Sequence, residues 1–292
     1  MNSKPAIDTS GARAAQVLIA SMTEILITLV GCGGTGSWLA PSIARLTRLL
    51  SESGRKVKVT FVDPDIVEAV NIPRQNFCDA EIGQNKAIAL ATRYSAAWGI
   101  EIAAVPFRFN PEKTRGSYNT MTILVGCVDN AAARRSINEA MKWRNSKDVP
   151  KCWWLDAGNY ADGGQVLLGS ASTSASLESS FTTARICQAL PSPAMQNPDL
   201  LKARPEEASK HKMSCAELQA ANLQSLTINQ HVAAIAADYL TRLLTGGKLK
   251  IFSTDFNQSV QSARSTAITP EAVASLIGKP VEFVMKAKGA AR

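Results

Sequence analysis

A chain of 292 residues with 46% hydrophobic and 6% aromatic content has the size and apolar share of an α/β globular protein, and its interrupted apolar runs are too short to cross a bilayer. The net charge of +8 is spread over scattered Lys and Arg with no block of five or six like charges, which argues against nucleic acid as a partner. Six cysteines lie far apart with no C-x-x-C pair and only His211 and His231 beside them, which disfavours a zinc ribbon and a disulfide framework.

The N-terminal segment, residues 1–24, has no basic stretch followed by an apolar core, so no export signal is expected and the cytoplasm is the expected location. A short helix is expected over Ala12–Ser21. From Ile25 to Leu50, ILITLVGCGGTGSWLAPSIARLTRLL reads as a buried strand, a glycine turn and an apolar-periodic helix. Gly31, Gly33 and Gly36 have the spacing that lets a backbone turn tightly and approach a phosphate, and Gly34 is an additional glycine. The N–H groups and dipole of a helix starting there favour an anion over the turn.

VKVTFVDPD is expected to form a second strand ending at Asp63, completing a βαβ unit. A carboxylate at that position can accept hydrogen bonds from a ribose hydroxyl pair; Asp65 is the second choice. The next stretch carries Asn71, Arg74, Gln75 and Lys86 in one connection. A dinucleotide needs few cations, whereas a triphosphate under attack develops charge that Arg and Lys stabilise. A surface ion pair is the plain alternative for Arg74 alone.

KAIALATRYSAAW reads as a helix opened by Lys86, and a third strand is expected around Ile102–Val105. MTILVGCVDN is a fourth strand ending at Asp129, with Asn130 capping the helix AAARRSINEAMKW. Asp129 has two readings, a helix N-cap or a holder of Mg²⁺ beside a triphosphate. CWWLDAG is the fifth strand. GGQVLLGS must run in the opposite direction, because a parallel crossover needs a dozen or more residues. Residues 171–222 turn Ser-, Thr-, Ala- and Pro-rich and read as a long, partly mobile crossing loop with short helical pieces, ending near Cys215. The helix LTINQHVAAIAADYLTRLL, stopped by Gly246 and Gly247, the strand KIFSTDF and a tail with the helix PEAVASLIG complete the chain.

These segments resemble the ThiF/MoeB group and the adenylation domains of ubiquitin-activating enzymes. GCGGTGS is similar to their glycine loop, DPDIVEAVNIPRQNF to their D-x-D-x-V-x-x-x-N-x-x-R-Q signature, GQNKA to their Lys motif and VGCVDNAAARRSIN to the strand that presents a metal-binding aspartate. MSCAELQAANLQSLTINQHVAAIAADYLTRLL resembles the segment in which a reactive cysteine leads into an apolar helix. The match covers about Ile25–Gln165 and resumes from Ser214 to Leu244.

The resemblance implies an α/β, Rossmann-like mixed sheet, parallel in its N-terminal half and antiparallel in its C-terminal strands, flanked by helices. It implies one ThiF-type adenylation domain over 1–292, divided into an N-terminal segment (1–24), a nucleotide-binding core (25–170), a crossing loop (171–222), a C-terminal helix and strand (223–262) and a tail (263–292). The activity it implies is ATP-dependent adenylation of the C-terminal carboxylate of a ubiquitin-like protein ending in Gly. ATP and Mg²⁺ are the cofactors, Asp63 takes the ribose, Asn71, Arg74, Gln75 and Lys86 take the phosphates, and Asp129 takes the metal. Cys215 is the candidate thioester thiol, and a homodimer and a downstream conjugating protein are expected.

The chain departs from many relatives in lacking their zinc-binding C-x-x-C pairs, so Mg²⁺ is the metal expected. It also lacks their N-terminal R-Y-x-R-Q context, offering only Lys4 and Arg13 as trans-acting cations. The missing cysteines and the Ser-rich crossing loop bring it nearest to the plasmid-borne ThiF-type proteins of PRTRC systems. Alternatives are a sulfur-carrier activator of the thiamine or molybdopterin type, a non-catalytic scaffold for a ubiquitin-like protein, and an NAD-dependent dehydrogenase. The last explains the glycine turn and Asp63 but leaves Arg74, Gln75 and Lys86 without work.

Overall fold

The computed structural model describes residues 10–19, 22–114, 119–142, 150–160, 162–203, 227–246 and 249–285. Its centre is strand β1 (Glu24–Val30), whose near-continuous apolar run is buried on both faces between two parallel neighbours. Helix α1 (Gly34–Glu52) follows, then β2 (Lys56–Val62), α2 (Lys86–Trp98), β3 (Ile102–Val105), β4 (Thr120–Gly126), α3 (Ala131–Lys142), β5 (Cys152–Tyr160) and β6 (Gly163–Gly169). Beyond these come α4 (Ile228–Leu244), β7 (Ile251–Asn257), β8 (Ser262–Ala267) and α5 (Pro270–Leu276).

The main sheet has the order β8-β7-β6-β5-β4-β1-β2-β3. The five strands from β3 to β5 are parallel, and β6, β7 and β8 continue the sheet antiparallel. This is the mixed Rossmann-like sheet the sequence implied. Alternate residues of β4 and β5 face opposite sides, as a pleated strand requires. Met121, Ile123, Val125, Trp153 and Leu155 join the larger core, which also takes in α1, α2 and α4. Leu124, Cys152 and Trp154 join a smaller one with Ile137, Ala140 and Met141 of α3. The chain reverses its sheet order between β1 and β4, and ligands of open α/β sheets sit at such a point, outside the carboxyl ends of the strands.

Three expectations are corrected. The N-terminal helix over Ala12–Ser21 is replaced by a helical turn at Ser10–Arg13 and a strand at Gln16–Val17. That strand pairs in parallel with Ile186–Cys187, which pairs antiparallel with Phe181–Thr183. The described part of the crossing loop therefore contributes to a small three-stranded sheet, beside the short helical pieces that were expected, at Ser174–Leu177, Pro193–Gln196 and Pro198–Leu201. Strands this short have no periodicity to detect, and their partner lies some 170 residues away in sequence. The expected boundary at 262 and 263 also cuts β8, whose SARSTA has no apolar alternation. Its pairing with β7 is accompanied by hydroxyl contacts, Ser253 Oγ to Thr266 Oγ1 at 2.7 Å and Thr254 Oγ1 to Ser265 Oγ at 2.8 Å. Among the described residues no helix is long and apolar enough to cross a membrane.

Candidate nucleotide site

The turn after β1 is closed by Gly31, whose φ of +91° lies in the region that favours glycine. Gly31 N–H donates to Val62 O of β2 at 2.9 Å, and Cys127 N–H donates to Val30 O at 2.8 Å, so the ends of β1, β2 and β4 are tied together. A Cβ on Gly36 would collide with the carbonyl oxygen of Gly31, so this position requires close approach of the helix to the turn. Above Gly33 the space is open except for the Gln75 amide, 3.9 Å from where a Cβ would stand.

Asp63, just beyond β2, is buried beside this turn. Its Oδ2 accepts from Cys32 N–H at 2.6 Å and its Oδ1 from Asp65 N–H at 2.8 Å. Burial raises the Asp63 pKa above the ordinary carboxylate value, against the lowering effect of these two hydrogen bonds. Each carboxylate oxygen has a further lone pair, so acceptor capacity remains for a ribose. Asn85 caps α2 by accepting from Ile88 N–H at 3.1 Å and donates to the carbonyls of Asp63 and Asp65 at 2.8 and 2.9 Å. It thereby binds the start of α2 to the end of β2 and brings Lys86 to the site. The Lys86 side chain is largely buried, with Nζ 3.6 Å from Asp65 Oδ2.

Asn71 accepts from Glu68 N–H through Oδ1 at 3.1 Å, and its carbonyl accepts from Arg74 and Gln75 N–H at 3.1 and 2.9 Å. Its place in the structure is thus the turn that presents Arg74 and Gln75. The main chain of Arg74 is anchored, because its carbonyl accepts from Trp38 Nε1 at 3.2 Å and Asn229 Nδ2 at 3.3 Å. Asn76 N–H donates to Ser37 Oγ at 2.9 Å. Arg74 Nε and Gln75 Oε1 are buried atoms without a hydrogen-bond partner among the described residues. Buried polar groups seldom stay unpaired, so these two atoms suit a polar ligand.

The glycine turn, Asp63, Gln75 and Lys86 therefore come together at the carboxyl end of the parallel strands, with Arg74 in the same segment. Asp129 lies just past β4, exposed, with Oδ1 accepting from Asn130 Nδ2 at 3.2 Å. Asn130 supplies the cap contact, accepting from Ala133 N–H at 2.9 Å, which leaves Asp129 outside that role. Among the described residues no group of three or more His, Cys, Asp or Glu gathers to hold a metal. One exposed carboxylate nevertheless fits Mg²⁺, which is commonly held by one or two carboxylates together with phosphates.

Cys215 lies outside the described residues. Cys187 is buried, and burial pushes its thiol up to about 12. Cys32 and Cys127 are raised by burial as well. Cys78 is exposed. Sequence reasoning missed Trp38, Asn85, Asn229 and the buried Arg134–Asp156 pair, with Nε to Oδ1 at 3.1 Å. Asn85 was detectable as the N-cap before KAIAL, and Asn229 as an amide in the first turn of an apolar helix.

The model of the ThiF family matches residues 16–272. No curated protein sequence matches the chain. Among solved structures, the fold is similar to that of PaaA, with a TM-score of 0.53 and 17% identity over 89% of this chain and 66% of PaaA. It is similar to E. coli MccB solved with ATP, at a TM-score of 0.52 and 12% identity over 89% of this chain and 66% of MccB. MccB solved with AMPCPP and MccA gives a TM-score of 0.52 and 13% identity over the same shares, 89% and 66%. At such identities the likeness is one of fold, and the chain spans slightly less than two thirds of those proteins.

Proposed function

The chain belongs to the ThiF family, and from that premise we propose that it activates the C-terminal carboxylate of a small ubiquitin-like or sulfur-carrier protein by ATP-dependent adenylation. The observation that carries this reading is the convergence of the Gln75 Nε2 donor and Lys86 on the glycine turn beside Asp63, with the Arg74 Nε donor buried and unpartnered among the described residues. A dinucleotide has no use for so many cations and amides, whereas a triphosphate does.

In this reading the α1 N-terminus and the backbone of the glycine turn receive phosphate oxygens, and Asp63 accepts from the ribose hydroxyls. The carrier carboxylate attacks the α-phosphorus, the bond to the β-phosphate oxygen breaks, and pyrophosphate leaves an acyl adenylate behind. Arg74 and Lys86 hold the charge that moves onto the departing pyrophosphate, and Asn71 and Gln75 fix its orientation. Asp129 would hold Mg²⁺, which supplies further charge neutralisation at the phosphates. Cys215 would then take the acyl group: its thiolate attacks the acyl carbon and AMP departs. One adenylation domain, a homodimer, a cytoplasmic setting and a downstream conjugating protein belong to the same proposal. E. coli MccB has been solved with ATP and, separately, with AMPCPP and MccA, which supports a nucleotide and a second molecule as ligands.

Calorimetry with ATP and Mg²⁺, and in parallel with NAD, tests the reading. ATP should bind the more tightly. Binding of NAD without binding of ATP would overturn adenylation in favour of a dehydrogenase.

A further inference from the structure

We infer that Asn229 is a positioning residue of the nucleotide site: its side-chain amide locks the first turn of α1 to the main chain of Arg74, and Gly34 lacks a side chain to admit that amide. The inference rests on the adenylation reading for its consequence, but the arrangement is a matter of geometry. Asn229 lies in the first turn of α4, 194 residues after Thr35 and 155 after Arg74, and is only 2% exposed.

Its Oδ1 accepts from Thr35 Oγ1 at 3.3 Å and from Asn159 Nδ2 of β5 at 2.6 Å. Its Nδ2 donates to Arg74 O at 3.3 Å. An amide is the side chain that offers an acceptor on one side and a donor on the other at this length. Aspartate keeps the acceptor and loses the donor, placing a charge against the Arg74 carbonyl instead.

The second observation is Gly34. The phosphate-turn spacing uses Gly31, Gly33 and Gly36, so the additional glycine has no explanation in that pattern. A Cβ at Gly34 would stand 2.7 Å from Asn229 Oδ1 and 2.9 Å from Nδ2, closer than real Cβ atoms approach. Gly34 and Asn229 thus form a fitted pair, one leaving the space that the other fills. The pair joins α4 to α1, and through Arg74 O to the segment that carries the guanidinium. Displacing the amide moves the Arg74 main chain relative to the helix N-terminus, so the guanidinium no longer reaches the phosphates that the turn receives.

A double-mutant cycle on ATP affinity, read by calorimetry with Mg²⁺, tests this. Asn229→Ala should weaken ATP binding about tenfold, the scale of a lost hydrogen bond to an ordered group. In an Arg74→Ala background the same substitution should weaken it no further, because Asn229 acts through Arg74. Gly34→Ala should reproduce the Asn229→Ala loss and add nothing to it in combination. Asn229→Asp, nearly isosteric, carries the test if the alanine variant fails to fold. Additive losses, or an Asn229→Asp protein with wild-type affinity, would overturn the inference. Failure of the wild-type protein to bind ATP is a different result, which removes the adenylation reading and the positioning role with it.

Discussion

Replacing Arg74 with alanine should separate stability from function in opposite directions. Among the described residues its guanidinium makes no ion pair or side-chain hydrogen bond, and Nε is buried without a partner. The anchors of this segment lie on the Arg74 carbonyl, which accepts from Trp38 and Asn229 and survives the substitution. Leaving a buried N–H unpaired costs about 1–3 kcal/mol, so its removal should leave stability unchanged or raise it. Had the guanidinium been half of a buried ion pair, its loss would cost about 3–5 kcal/mol, or ~6–20 °C in Tm at this chain length. Toward a triphosphate the expectation reverses. A charge-assisted hydrogen bond contributes about 1.5–3 kcal/mol, so the dissociation constant for ATP should rise about 10- to 150-fold. Differential scanning calorimetry and titration calorimetry on one preparation read both quantities. A Tm lowered by about 6 °C or more with ATP affinity retained would show that Arg74 is structural and refute the reasoning.

Gly36→Ala should lower stability, since its Cβ meets the Gly31 carbonyl oxygen and the turn must open. A loss of about 1–3 kcal/mol in urea unfolding is expected, and a wild-type midpoint would contradict the close approach. Asp63 has a folded pKa raised by burial, so the native state binds more protons than the unfolded chain between the ordinary value of 3.8 and the raised one. Stability should fall as pH rises through that window, and Asp63→Asn should remove the slope. ATP affinity should weaken as pH is lowered through the same raised pKa; a profile identical in Asp63→Asn would take Asp63 out of the nucleotide site. Asp129 is exposed, so Asp129→Ala should leave Tm unchanged while abolishing carrier-dependent exchange of pyrophosphate into ATP. Undiminished exchange would remove it from the metal role. Cys215→Ala should retain the exchange and lose a reductant-sensitive conjugate on non-reducing gels; a conjugate that persists would place the thiol elsewhere.

Much of the parallel half of the sheet was readable because its signals are local. β1 is an apolar run ended by glycines, α1 and α2 carry 3.6-residue patterns, and the reversal from β5 to β6 follows from a connection too short for a crossover. The residues proposed for the nucleotide site, from Gly31 to Lys86, could be nominated for the same reason, since they sit within one βαβ unit and the connection after it. What the sequence hid depends on partners far along the chain. Gln16–Val17 becomes a strand only because Ile186–Cys187 lies beside it, and β8 holds its place with backbone pairing and hydroxyl contacts that leave no apolar stripe.

Gly34 looked redundant until the fold brought Asn229 against it from 195 positions later. The sequence by itself determined the order of the side chains proposed to meet a triphosphate, because spacing along one strand and turn sets it. Only the tertiary structure decided that Gln75 is buried, that Arg74 Nε and Gln75 Oε1 lack partners among the described residues, and that an amide from α4 bonds the Arg74 carbonyl. Burial and hydrogen-bond satisfaction are properties of the packed assembly of segments, and no local pattern encodes them.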